Sequence, residues 1–123
     1  ELYHLEEKNP GKKIFSIHDI TSERAMKSSD YKLGFRMLTR KHLVNKVVTG
    51  YGLTNEGQIE GKRITRIHRL WEMYLTQQLQ IQGDHVHEDA EGIEHIITPE
   101  IERKLIELLD KPEKDPHEKI IPY

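Results

Sequence analysis

The segment HVHEDAEGIEH, residues 85 to 95, places three histidines and four acidic side chains within eleven positions. On a helix, His87, Glu91, Glu94 and His95 fall at i, i+4, i+7 and i+8 and project from one side. Val86, Ala90, Ile93 and Ile97 lie about a quarter-turn away, which puts the polar group at the edge of a core. Carboxylates and imidazoles gathered there repel one another and resist burial unless a cation joins them. Upstream, His68 and Glu72 repeat the i, i+4 spacing inside an apolar stripe of Ile64, Trp71 and Leu75. Taken singly, His68 reads as a satisfied core histidine and Glu72 as a surface acid. Two such faces on helices expected to pack together favour a shared ion instead. Oxygen and imidazole donors without thiolate suit a divalent transition metal; carboxylate-rich sets lean toward manganese, with iron(II), cobalt and zinc as alternatives.

A second chemistry is set by charge. From Lys27 to Arg69 there are ten basic residues against three acidic ones, and from Glu72 to Glu118 thirteen acidic against four basic. One half is suited to phosphate and the other to cations. In the basic half Lys32, Arg36 and Arg40 recur at i, i+4 and i+8, although a plain solvated face would carry the same pattern.

The elements that must position these groups follow from periodicity and punctuation. LYHLEE reads as a helix broken by NPGKK, and IFSIHDI as a short strand or extended lead-in. Thr21 or Ser22 is expected to cap a helix through SERAMKSS, and Asp30 a basic helix over DYKLGFRMLTRKHLV with Leu33, Met37 and Leu38, or Phe35 and Leu38, facing inward. NKVVTGYGLTNEGQ reads as a β-hairpin whose turn is permitted by Gly50 and Gly52. A long helix from about Glu60 to Gln80 precedes an interruption at Gly83 and Asp84, and a further helix spans about His85 to Ile97. Thr98 followed by Pro99 starts the last helix, TPEIERKLIELLD, and DPHEKIIPY is left as an extended tail.

This order predicts a mainly α chain with a small β-hairpin wing: a winged helix-turn-helix over 1–60, then a helical domain over 61–123. The length suits one domain or two small ones. The absence of cysteine excludes disulfides, thiolate zinc sites, iron–sulfur clusters and a thiol nucleophile. No apolar run approaches the roughly 20 residues of a membrane span, so a cytoplasmic chain is expected. The uncapped start ELYHLEEKN, without an initiating Met, suggests an excised fragment.

The motifs RIHRLWEMYL, VHEDAEGIEH, TPEIERKLIELL and DPHEKIIP together resemble the diphtheria-toxin-repressor family of metal-dependent transcriptional regulators. The resemblance covers nearly the whole chain. It implies a winged helix joined through the long helix to a metal-binding and dimerisation domain, with His68, Glu72, His87, Glu91, Glu94 and His95 at ligand positions. Glu at position 91, where the iron-responsive branch usually has Cys, points to the manganese type. The implied partners are a second copy bound through the C-terminal helical domain and a double-stranded DNA operator, with metal fixing the spacing of two recognition helices.

Three departures qualify the resemblance. The family takes one or two ligands from positions before LYHLEE. Its recognition helix is rich in Ser, Thr and Gln, whereas SSDYKLGFRMLTRK offers mainly Ser29, Tyr31, Lys32, Arg36, Thr39 and Arg40 for DNA. There is no C-terminal SH3-like domain. The alternative is a cytoplasmic metal-sensing domain fused to a membrane permease of a manganese, iron or zinc transporter. An enzyme is not expected, because no general base is separable from the ligands.

Overall fold

The hairpin and the helices packed on it are built from close approaches that the sequence permits at few positions. The computed structural model describes residues 1–24, 27–78 and 86–123, the side chains of Ser28 and of residues 86–89 excepted. Gly83, Asp84 and His85 therefore lie outside the described residues. The chain divides into two compact units, Glu1–Gly61 and Lys62–Tyr123.

In the first unit, helix α1 spans Leu2–Lys8 and buries Leu2 and Leu5. The expected strand at IFSIHDI contracts to a single bridge between Phe15 and Tyr51, because Ser16 already begins a helix. Helix α2 spans Ile17–Glu23, its start fixed by a reciprocal box in which Ser16 Oγ accepts from the Asp19 amide and Asp19 Oδ2 accepts from the Ser16 amide. Thr21 and Ser22 are thus not caps. They lie in the last turn, with hydroxyls donating back to the carbonyls of His18 and Asp19.

Helix α3 spans Ser28–Arg40, with Lys27 at the N-cap and Asp30 in the first turn rather than capping it. Its inner face is Tyr31 and Phe35, one turn apart, while Leu33 and Met37 point to solvent. The aromatic pair wins because Phe35 stacks on Tyr51 at 4.3 Å and lies 6.4 Å from Tyr31. Strands β1, Val44–Val47, and β2, Gly50–Leu53, pair antiparallel with Val44 opposite Leu53 and Val47 opposite Gly50. Gly50 serves a close approach as much as the turn, since a Cβ there would stand 2.1 Å from the Phe15 carbonyl oxygen. Leu2, Leu5, Phe15, Ile20, Tyr31, Phe35, Val44 and Tyr51 form one core.

Helix α4 begins earlier than its apolar stripe suggested. It spans Asn55–Gln78, because the Thr54 hydroxyl accepts from the Gly57 amide and so caps it one turn upstream. Its residues from Lys62 onward belong to the second unit. There, helix α5 spans Val86–Ile93, stopping short of Ile97, and helix α6 spans Pro99–Leu108 from the expected Thr98 cap and Pro99 start. Leu70, Leu105, Leu109 and Ile121 form the second core, with Trp71, Met73, Tyr74 and Ile106 against it. The tail is not simply extended: Lys114 bridges Ile120, and Asp115 Oδ1 accepts from the amides of His117 and Lys119, closing a tight loop.

Candidate metal centre

The apolar stripe of α4 that buries Ile67 and Leu70 also carries His68 and Glu72 into the second unit, Glu72 being 2% exposed. The His68 ring is held from both sides, Nε2 at 3.2 Å from Glu72 Oε1 and Nδ1 at 2.6 Å from Glu94 Oε2. Burial alone would push this imidazole's pKa down. The hydrogen bonds to Glu72 and Glu94, with their charges, outweigh it and raise the value to about 9. The ring is therefore an imidazolium at neutral pH, donating from both nitrogens.

Of the expected ligands, the structure brings His68, Glu72 and Glu94 together. Because α5 ends at Ile93, Glu94 and His95 lie in the turn beyond it, and His95 reaches Glu94 at 3.2 Å with its side chain 64% exposed. Glu91 is half-buried on α5. The side chain of His87 lies outside the described residues.

Two residues that sequence reasoning left in the tail join this group. Donor atoms of Glu72, Asp115 and His117 all lie within 4.8 Å of one another, with Glu72 and Asp115 buried and His117 Nδ1 at 3.7 Å from Glu72 Oε2. The signal was present in the spacing Asp-Pro-His, which sets donors on either side of a proline, a residue that no helix interior tolerates well. What the sequence did not give is the fold of the loop, in which Asp115 organises its own backbone. Arg69, also buried, stands 3.9 Å from Asp115 and donates to the Ile120 carbonyl at 2.5 Å.

The donor set fits a divalent metal on its own chemistry. Glu72, Asp115 and His117 offer hard or borderline donors within reach of one ion, and the His68 ring bridges from Glu72 on one side to Glu94 on the other; carboxylates this close demand compensating positive charge. In the metal-free protein that charge is supplied by the His68 proton and by Arg69.

In the first unit the candidate nucleic-acid residues separate into two groups. Ser29, Lys32, Arg36, Thr39 and Arg40 are exposed on α3. Tyr31 is 7% exposed, and its hydroxyl donates to the Arg24 carbonyl at 3.2 Å, so it sits in the core rather than on the face that a duplex would meet.

A winged helix-turn-helix followed by a helical unit is the architecture of metal-dependent repressors. The chain belongs to the iron-dependent repressor family, whose metal binding and dimerisation domain matches residues 54–123. The structure of the manganese regulator SloR superposes with a TM-score of 0.85 at 29% identity, over 98% of this chain and 56% of that one. The diphtheria toxin repressor of Corynebacterium glutamicum is 36% identical over 70 residues, 57% of this chain and 31% of its own length. A Chlamydia trachomatis protein described as "Probable metal transport system membrane protein" is 40% identical over 90 residues, 72% of this chain. The matched part is 20% of that relative's length. Among the described residues no helix is long and apolar enough to cross a membrane.

Proposed function

We propose that this chain is the sensing and DNA-binding part of a metal-dependent transcriptional regulator, its first 60 residues acting as the winged helix and residues 61–123 as the metal-binding and dimerisation domain. The observation that carries the reading is the convergence of Glu72, Asp115 and His117 beside the His68 and Glu94 pair, within the part of the chain that matches the family. His68, Glu72, Glu94, Asp115 and His117 would hold the ion, with Glu91, His95 and His87 completing the candidate set. A divalent cation there would neutralise the gathered carboxylates and tie the tail loop to α4. Manganese is the expected metal, because the donors are rich in carboxylate and lack thiolate, with iron(II) and zinc as competitors.

Occupancy controls binding only if the loaded centre stabilises the DNA-competent arrangement more than the slack one. Lys32, Arg36 and Arg40 would then meet phosphate or base edges, Ser29 and Thr39 supplying shorter polar contacts. The second copy has a surface to use: Ile96, Ile101, Leu108 and Ile120 are all exposed apolar residues of the second unit, with Ile101 and Leu108 two turns apart on α6. Titration calorimetry with manganese checks the site, and loss of binding in a Glu72→Gln, His117→Ala variant is expected. A mobility shift over a manganese and salt series checks the output; DNA binding that ignores metal would sink the regulatory reading. Sedimentation velocity reads the dimer, which Leu108→Glu should dissociate.

A second reading has its own support. The similarity to the Chlamydia trachomatis membrane protein favours a sensor carried on the cytoplasmic side of a metal permease, where the same ligands would report cation level to transport. Fractionation of the full gene product separates the two, a membrane-bound product that binds no duplex favouring the permease reading.

A further inference from the structure

Helix α3 shows solvent a face that is both cationic and apolar. Ser29, Lys32, Leu33, Arg36, Met37 and Arg40 recur at i, i+3, i+4, i+7, i+8 and i+11, so they share one side, opposite the buried Tyr31 and Phe35. Leu33 is 59% exposed and Met37 53%. A single exposed apolar residue is ordinary. Two of them one turn apart, flanked by three cations, specify a partner that is anionic and also offers small apolar groups.

The major groove of duplex DNA is such a partner. Thymine presents its C5-methyl there, between two phosphate backbones, and apolar side chains recognise it by contact. Adenine is ordinarily read by the amide of Asn or Gln, and α3 contains neither. Without that amide, the thymine methyl is the A·T feature that the apolar side chains of this face can read.

We propose that Leu33 and Met37 are specificity-determining residues that pack on thymine methyl groups in the major groove, while Lys32, Arg36 and Arg40 hold flanking phosphates or guanine edges. The inference rests on the reading that the first unit binds duplex DNA. Around the helix Lys32, Arg36, Arg40, Leu33 and Met37 follow in that order, so Leu33 borders the Arg40 position nearest the middle of the face, while Met37 lies toward one side, where its unbranched thioether can adapt to the groove. Removing one contacted methyl should weaken binding roughly fourfold, the value of one buried carbon of that kind.

The test uses the full chain with saturating manganese and the tightest duplex it selects from a random-sequence library, remade with deoxyuridine for thymidine at each position in turn. Anisotropy titration is expected to give roughly fourfold weaker binding at one or more positions. The Leu33→Ala, Met37→Ala variant, checked as folded by circular dichroism, should bind the thymidine and deoxyuridine duplexes equally. Wild-type binding indifferent to deoxyuridine at every position overturns the proposal while leaving DNA binding intact, as does a variant that keeps the wild-type sensitivity. Selection of no duplex overturns it together with the DNA reading. Co-sedimentation with phosphatidylglycerol vesicles that is lost in the same variant would assign the face to a membrane surface and also overturn it.

Discussion

Two buried carboxylates of the second unit are held in opposite ways. Glu102 on α6 accepts from Arg66 at 2.5 Å and lies 3.9 Å from Arg63, so its charge is matched by guanidinium groups that never lose their protons. Glu72 on α4 instead faces His68 at 3.2 Å and His117 at 3.7 Å, with Asp115 close by. Imidazoles exchange their protons near neutral pH, and their nitrogens are metal donors once neutral. The same buried negative charge is therefore a fixed fastening on one helix and an exchangeable centre on the other. The chemistry of the partner decides which.

The largest effect that separates them is on the fixed side. Glu102→Gln should cost about 3 kcal/mol of stability, because it leaves Arg66 partly buried against a neutral amide. Urea unfolding should give the same loss with and without manganese. A loss that manganese repairs would mean that Glu102 belongs to the metal centre and that the two carboxylates are not distinct.

Next comes metal itself. Manganese at a hundredfold excess over its dissociation constant should stabilise the protein by about 2.7 kcal/mol if it binds only the folded chain. In Glu72→Gln that gain should vanish, and the metal-free variant should itself lose on the order of 1–2 kcal/mol at neutral pH, because Glu72 is a partner that holds the His68 proton. Melting temperatures across a manganese series measure both. If Glu72→Gln keeps the metal response, the exchangeable centre is elsewhere.

A third contrast is in pH. The folded pKa of His68, about 9, lies above its ordinary value of 6.5. The stabilisation from its protonated form is therefore complete below about pH 6.5 and is lost as pH rises toward 9 and beyond. On the order of 2 kcal/mol should disappear across that window in the metal-free protein. Metal binding near pH 7 requires the neutral ring, so loading should release protons, visible as a buffer-dependent enthalpy. Glu94→Gln should flatten the metal-free pH profile; an unchanged slope would locate the titrating group elsewhere.

Spacing alone carried much of this. The i, i+4 pair of His68 and Glu72 inside an apolar stripe picked out the stretch of α4 where the structure buries both side chains against each other, and Thr98 with Pro99 placed the start of α6. What failed to read out was tertiary choice. Leu33, Met37, Tyr31 and Phe35 are all plausible core residues by period, and only the ring of Tyr51 in the hairpin selects the aromatic pair. Asp115 and His117 were legible as residue types but not as neighbours of Glu72, because their approach depends on a loop closed by backbone hydrogen bonds to Asp115 itself. The helix ending at Ile93 likewise took Glu94 and His95 off the regular face that periodicity had assigned them.

The smallest expected effect decides how far the exchangeable centre extends. His95 touches Glu94 at 3.2 Å but is largely in water, so in the metal-free protein its loss should matter little. His95→Ala is expected to change stability by less than about 0.5 kcal/mol, the range of an exposed pair. If His95 completes the coordination set, the same substitution should weaken manganese binding at least tenfold, because an imidazole donor is replaced by water. Calorimetry on the variant reads that difference directly. An unchanged affinity would confine the centre to the buried side, where Glu72 meets Asp115 and His117, and would leave His95 as a solvated neighbour of Glu94.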